Sequence, residues 1–321
     1  MLSRMNLVCV IIYVSLLLSF SIEIIEATPI ISKRETFHEK KPSPFNTVII
    51  FGDSTCDNGN TWRLSNYTYP PKKFFYKGRF SNGPTWVEYL SKLLHAKEMN
   101  YAYGGATTDT NYVKAVSGFD GEIPVPGIKQ EVEDKFKTQV SAKSLNPDKT
   151  LYIVAHQGND YLNNPKIFPV ECVKHLYDVW VELANFGAKH ILINNFFNLK
   201  NLPEVTKNYG VISRLLTGLV SKMHNAAIDG FVWQFKRTHK DVKFYILPMD
   251  QVWEEFKDPN LKKSLGITDV NSACVLRIDK TKNYTICPNP DEHFYWDHIH
   301  PSTKVHNFIA VKVYNIITGQ K

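Results

Sequence analysis

The sequence predicts an α/β fold, a parallel sheet covered on both faces by helices, and three observations lead there. From about Asn46 onward, short apolar runs alternate with amphipathic stretches, the pattern of stacked strand–helix units. The alternation repeats five times, and strands joined by helical crossovers pair in parallel with helices on both sides. No internal repeat, low-complexity segment or interdomain linker interrupts it, so residues 45–321 are expected to form one domain.

The elements follow in order. Residues 48–51 form a short buried strand, and a polar loop rich in Tyr, Pro and Lys leads to a helix over 85–94, with Trp86, Tyr89, Leu90 and Leu93 at helical spacing. A second strand is expected over 100–103 and a second helix over 128–140. A third pair follows at 151–155 and 170–186, and a fourth strand at 190–193. The long helix after it, about 213–237, carries Leu215, Leu216, Leu219, Met223, Ala226 and Ala227 at three- and four-residue steps. Residues 242–247 complete five strands and 301–317 form a closing helix. The remaining length lies in loops at 60–84, 104–127 and 257–296, where binding sites of such folds are usually built.

Bulk properties bound the function. Hydrophobic residues make up 43% of 321, enough for a large core, and charged residues 21%. Arg4, the apolar run 7–20 and Ala27 read as a secretory signal over residues 1–27, too short for the roughly 20 residues of a membrane-spanning helix. Residues 28–44, with the dibasic pair Lys33-Arg34, form a lead-in or propeptide. Stable membrane insertion is not expected once the signal is removed. The net charge of +7 is spread along the chain without a basic, aromatic-interleaved stripe, which disfavours nucleic acid.

Cysteine usage fits an oxidising, extracellular setting. Beyond the signal remain Cys56, Cys172, Cys274 and Cys287. Cys274 and Cys287 are close enough to close a small loop, and Cys56 with Cys172 is a second possible pair. No cysteine spacing matches structural zinc. Sequons at Asn66-Tyr-Thr68 and Asn283-Tyr-Thr285 are consistent with glycosylation during export.

Chemistry concentrates at strand ends. The first strand runs into Gly52-Asp53-Ser54, which puts a hydroxyl at the carboxyl edge of a parallel sheet, where ligands bind. Asn100-Tyr-Ala-Tyr-Gly-Gly-Ala106 and Leu151-Tyr-Ile-Val-Ala-His-Gln-Gly-Asn-Asp160 bring Gly105 and Asn159 to the same edge. A glycine N–H and an asparagine amide suit the negative oxygen of a tetrahedral intermediate. Near the carboxyl end, Phe294-Tyr-Trp-Asp-His-Ile-His-Pro-Ser302 offers His300 as base and Asp297, three residues earlier, to hold its tautomer. His298 is a competing base, and His298-x-His300 with His293 also fits a metal pair. The expectation is no metal and no cofactor.

These four segments, in this order, resemble the GDSL or SGNH hydrolase superfamily. Phe51-Gly-Asp-Ser-Thr-Cys-Asp-Asn-Gly-Asn60 is similar to its first block, Gly105 and Asn159 to the second and third, and Asp297-His-Ile-His300 to the last. The resemblance implies a three-layer α/β/α sandwich around a mostly parallel five-stranded sheet of flavodoxin-like order, without metal. It further implies a Ser54–His300–Asp297 triad and an oxyanion hole from the Ser54 and Gly105 N–H groups and the Asn159 side chain. Gln157, preceded by His156, stands where family members often carry glycine, which puts the local backbone shape in doubt.

Within the superfamily, Gly78-Arg-Phe-Ser-Asn-Gly-Pro-Thr-Trp-Val-Glu-Tyr89 and Tyr101-Ala-Tyr-Gly-Gly-Ala-Thr107 resemble secreted carbohydrate acetylesterases. The expected reaction is therefore deacetylation of a small-molecule or oligosaccharide ester by a monomer. The alternative is a lipase or phospholipase acting on longer acyl esters, and a binding protein on a hydrolase scaffold is the non-enzymatic reading. Asp53, Gln157 and Trp296 are expected to touch substrate. Tyr67, Tyr69, Phe74, Phe75 and Tyr76 are candidates to stack on sugar rings or line an acyl cleft.

Overall fold

Five parallel strands form the central sheet: β1 (Thr47–Gly52), β2 (Lys97–Asn100), β3 (Thr150–Ala155), β4 (His190–Asn194) and β5 (Lys243–Leu247), in the order β2-β1-β3-β4-β5. The computed structural model describes residues 43–277 and 284–320. The expected signal segment, most of the lead-in and Asn283 of the second sequon lie outside the described residues.

β1 shows how the sequence makes three layers. Its side chains alternate across the sheet, and all from Val48 to Phe51 are fully buried. Val48 and Ile50 pack in one cluster with Trp86 and Leu90 of α1 (Trp86–Leu93) and Val305 and Ile309 of a carboxyl-terminal helix. Ile49 and Phe51 pack on the other face against Val132 and Phe136 of helix 128–139, α2, and Val173 and Trp180 of α3 (Pro169–Phe186). Ile228 and Val232 of the 28-residue helix α4 (Val211–Thr238) join that second cluster. The carboxyl-terminal helix is α5 (Thr303–Thr318). Each fully buried Ile, Leu or Phe contributes roughly 1.5–3 kcal/mol from area alone, so both faces are strongly held. The fold is the expected α/β sandwich with a central parallel sheet.

Two elements differ from the sequence reading. The second strand lies at Lys97–Asn100, three residues before the apolar stretch at 100–103, because an edge strand needs no apolar alternation on its open side. Its apolar sequel still bonds β1 irregularly, through Tyr101 N–H to Ile50 O and Tyr103 N–H to Gly52 O. The second helix is not continuous α: Ile128–Gln130 and Lys137–Gln139 flank a π-helical segment, Glu131–Phe136. Cys274 and Cys287 form a disulfide beside the hairpin Val275–Arg277/Tyr284–Ile286, whereas Cys56 and Cys172 are buried free thiols.

Candidate active site

In the order β2-β1-β3-β4-β5 the chain direction across the sheet reverses between β1 and β3, and the crevice outside their carboxyl ends is the natural ligand position. Ser54 follows β1 by two residues. The close approach of β1 to β3 there requires Gly52, since a Cβ would stand 2.5 Å from Ala155 O.

The loop before α5 comes back to this crevice. His300 Nε2 lies 2.8 Å from Ser54 Oγ, although 246 residues separate them. On the other side of the ring, His300 Nδ1 is 2.7 and 2.9 Å from the two Asp297 oxygens. The Asp297 carboxylate also accepts the Ile299 and His300 N–H groups, which folds the turn into a clamp. Burial alone would raise the Asp297 pKa, but the His300 charge and these hydrogen bonds outweigh it and hold it below the usual carboxylate value. His300, not His298, faces the serine.

Three candidate oxyanion donors reach the same edge. Among the described residues, neither the Ser54 nor the Gly105 main-chain N–H has an acceptor. Gly105 sits at φ +92, and a Cβ there would lie 2.1 Å from Val116 O, so glycine is required on both counts. Asn159 gives one amide hydrogen to Ala106 O at 2.9 Å, which fixes the side chain and leaves the second hydrogen for a ligand.

The expected substrate contacts are redistributed. Gln157 lines the cleft. Asp53 is 1% exposed and its carboxylate is occupied: it accepts the Gln157 N–H at 2.6 Å and both the N–H and hydroxyl of Thr55. These bonds position the loops, and Asp53 also stands among the residues lining the cleft. Trp296 is buried among Phe75, Cys274 and Val275 and is not among the residues lining the cleft, while its main chain bonds both Val275 and His300. None of the five loop aromatics lines the cleft. Tyr67 packs on Trp62, Tyr69 on Phe80, and Phe74 on Tyr284.

Buried carboxylates that sequence reading missed hold the loops. Asp57 accepts main-chain N–H groups from Gly59, Asn60, Thr61 and Gly104, tying the serine loop to the glycine loop. Glu131, fully buried at the start of the π segment, accepts the N–H groups of Gly52 and Tyr103. Burial raises the pKa of both, most strongly at Glu131. A signal existed: Glu131 sits in the apolar stripe of Ile128, Val132 and Phe136, where a charged residue has no place unless it is paired. Behind the site, burial, reinforced by the His300 charge, drives the His306 pKa down to about 3, and its Nδ1 accepts the Trp86 N–H.

Possible metal donors among the described residues converge at His156, Cys172 and His224, within 4.8 Å. His156 Nε2 is engaged with Asp160 at 2.8 Å and His224 Nδ1 with the Tyr161 hydroxyl at 2.6 Å, while His156 Nδ1 is buried without a hydrogen-bond partner among the described residues. The two imidazoles are stacked at 20°, so their in-plane lone pairs do not converge on a point. His293, His298 and His300 form no such group among the described residues.

From Ser54 and His300 the cleft runs into the apolar layer under the sheet. Ser54, His300, Gln157 and Asn159 make its polar mouth; Leu162, Phe197, Leu199, Leu202, Met249 and Ile299 are among its apolar walls, with Asn194 and His306 as polar members.

The sequence profile of the GDSL-like Lipase/Acylhydrolase family matches residues 48–313. The chain is 24% identical over 289 residues to the thermolabile hemolysin of Vibrio parahaemolyticus, covering 85% of this chain and 64% of that protein. It is 26% identical over 327 residues to the phosphatidylcholine-sterol acyltransferase of Aeromonas hydrophila, covering 86% of this chain and 91% of that one. Among solved structures, a carbohydrate acetylesterase of Sinorhizobium meliloti aligns over 86% of this chain and all of its own, at 13% identity and a TM-score of 0.48.

Proposed function

The chain belongs to the GDSL-like lipase/acylhydrolase family, and from that premise we propose that it is an exported serine ester hydrolase with Ser54 as nucleophile. The 2.8 Å contact between Ser54 Oγ and His300 Nε2 carries the reading. Ser54 attacks the ester carbonyl while its proton passes to His300 Nε2. Asp297 holds Nδ1–H toward itself and stabilises the imidazolium. The carbonyl oxygen, now negative, takes hydrogen bonds from the Ser54 and Gly105 N–H groups and the free Asn159 amide hydrogen. Collapse expels the alcohol with the proton from His300. Water, deprotonated by His300, then releases the acid and restores Ser54.

Of the two substrate classes open to the sequence, the cleft favours esters of longer acyl chains over the expected carbohydrate acetates. The walls beyond Ser54 are largely aliphatic and aromatic, and none of the loop aromatics expected to stack on sugars is among the residues lining the cleft. The Aeromonas relative's name, which includes phosphatidylcholine, points the same way. Export is supported by the apolar amino-terminal run and by the Cys274–Cys287 disulfide, a bond that persists in oxidising compartments.

The test is a series of p-nitrophenyl esters from acetate to palmitate, with Ser54→Ala as control. Higher kcat/KM for chains of about eight carbons or more supports the acyl assignment. A preference for acetate overturns it, and activity retained by Ser54→Ala overturns the mechanism.

A further inference from the structure

Helix α4 is far longer than the layer it covers. Its 28 residues span about 42 Å at 1.5 Å per residue, against about 27 Å for the 18 residues of its neighbour α3. The cleft-lining residue Leu199 donates its N–H to Ser221 Oγ, and a Cβ at Gly218 would lie 3.2 Å from the Lys200 side chain. α4 therefore passes the cleft at 218–221, and residues 211–217 continue toward its start, about 15 Å from Ser221 at its tip. The short helix before it, Pro203–Asn208, is tied to the candidate catalytic turn by Glu204 N–H donating to His298 O at 3.0 Å.

The composition of this projecting corner is unusual for a water-facing tip. Val211, Ile212 and Leu215 are 74%, 75% and 66% exposed, and Tyr209 beside them is exposed as well. At positions i, i+1 and i+4 the three aliphatic side chains share one helix face. Lys207 and Arg214 flank them in sequence, Lys200, beside Gly218, and Lys222 lie farther from the tip at the level of the cleft, all four are exposed, and none forms an ion pair among the described residues. The single acidic residue from 199 to 222, Glu204, is half-buried and accepts the Asn208 amide. An apolar tip with exposed cations between it and the cleft matches a lipid surface: alkyl side chains enter the acyl boundary while Lys and Arg meet anionic headgroups.

We infer that the start of α4, through Val211, Ile212 and Leu215 with its basic surround, docks the protein on a lipid surface and presents the Ser54 cleft to it. The inference rests on the longer-acyl reading of the cleft and names the physical state of the substrate, an ester held in a lipid layer. Docking is a property of the tip and is separable from bond cleavage.

The test is flotation of the full mature protein with phosphatidylcholine vesicles, with and without phosphatidylserine, for wild type and the triple variant Val211→Ser/Ile212→Ser/Leu215→Ser. Hydrolysis of a monomeric short-chain p-nitrophenyl ester is measured alongside. Wild type is expected to float, more strongly with phosphatidylserine and less at high salt, and the triple variant to lose binding by about tenfold or more. Short-ester hydrolysis is expected to be equal in both, showing that the variant is folded. Equal flotation of the two proteins, or hydrolysis of the ester with no vesicle binding by wild type, overturns the inference. A wild-type dimer that the triple variant converts to monomer also overturns it, since the face is then covered by a second copy. Vesicle binding without hydrolysis of any ester overturns the catalytic reading alone and leaves the docking surface standing.

Discussion

The carboxylate of Asp53 accepts the main-chain N–H of Gln157 at 2.6 Å, so the residue before Ser54 spans the gap between the ends of β1 and β3. With two further bonds to Thr55, it sets the distance between the serine loop and the loop carrying Asn159. In Asp53→Asn one acceptor becomes an NH2 group facing donors. Turnover is expected to fall about tenfold or more and stability by about 1–3 kcal/mol. Wild-type kcat and urea midpoint in this variant would show that the bond does not position the loops.

Asn159→Ala removes one oxyanion donor and is expected to lower kcat by about 10²–10³ with little change in KM. Gly105→Ala should do at least as much harm, because its Cβ cannot coexist with Val116 O and the N–H must move. Steady-state kinetics on a soluble ester separate the two parameters, and a change confined to KM would argue against both assignments.

Asp297→Asn keeps an oxygen for the Ile299 and His300 N–H groups, so the turn should survive. What is lost is the charge that supports imidazolium and the preference for the Nδ1–H tautomer. A kcat loss of about 10²–10⁴ is expected, with Ser54→Ala lower still, near background. An unaffected Asp297→Asn would mean that His300 is oriented by the turn alone.

His306 makes stability depend on pH. Its ordinary pKa of 6.5 falls to about 3 in the folded protein, so as pH drops through that window the unfolded chain binds a proton that the folded one refuses. Stability contributed by the neutral ring is complete above the window and is lost at about 1.4 kcal/mol per pH unit within it. His224, pushed down by burial and the neighbouring His156 charge, acts in the same direction. Urea unfolding across the window should show a shallower acid loss for His306→Gln, and an unchanged slope would refute the assignment.

The disulfide closes a loop of 13 residues in sequence separation. Cross-linking a loop of that size restricts the unfolded chain by about 3 kcal/mol. Because Cys274 and Val275 pack with Trp296, one residue from Asp297, its removal should also loosen the candidate catalytic turn. The double variant Cys274→Ser/Cys287→Ser is expected to unfold at lower urea and to lose activity at lower temperature than wild type. Identical thermal inactivation profiles would contradict this.

Local sequence was enough for the α/β class and for the chemistry offered at the strand ends. Apolar runs such as Val48–Phe51 read as buried strands, and Gly-Asp-Ser, Gly-Gly and Asn each follow an apolar run, so the sequence already brings them to one sheet edge, while their order along it, with the Ser54 strand between the other two, is set by the fold. Tertiary structure alone decided what each polar group does once it arrives. Whether a carboxylate meets substrate or the main chain depends on which N–H groups surround it, and those come from segments about 50–100 residues away. Asp53 therefore became a loop tie, Trp296 joined a buried cluster, and Glu131 emerged as a buried acceptor. The lining of the cleft, and the exposure of the α4 tip beyond it, likewise arise from packing between distant elements, which no run of neighbouring residues encodes.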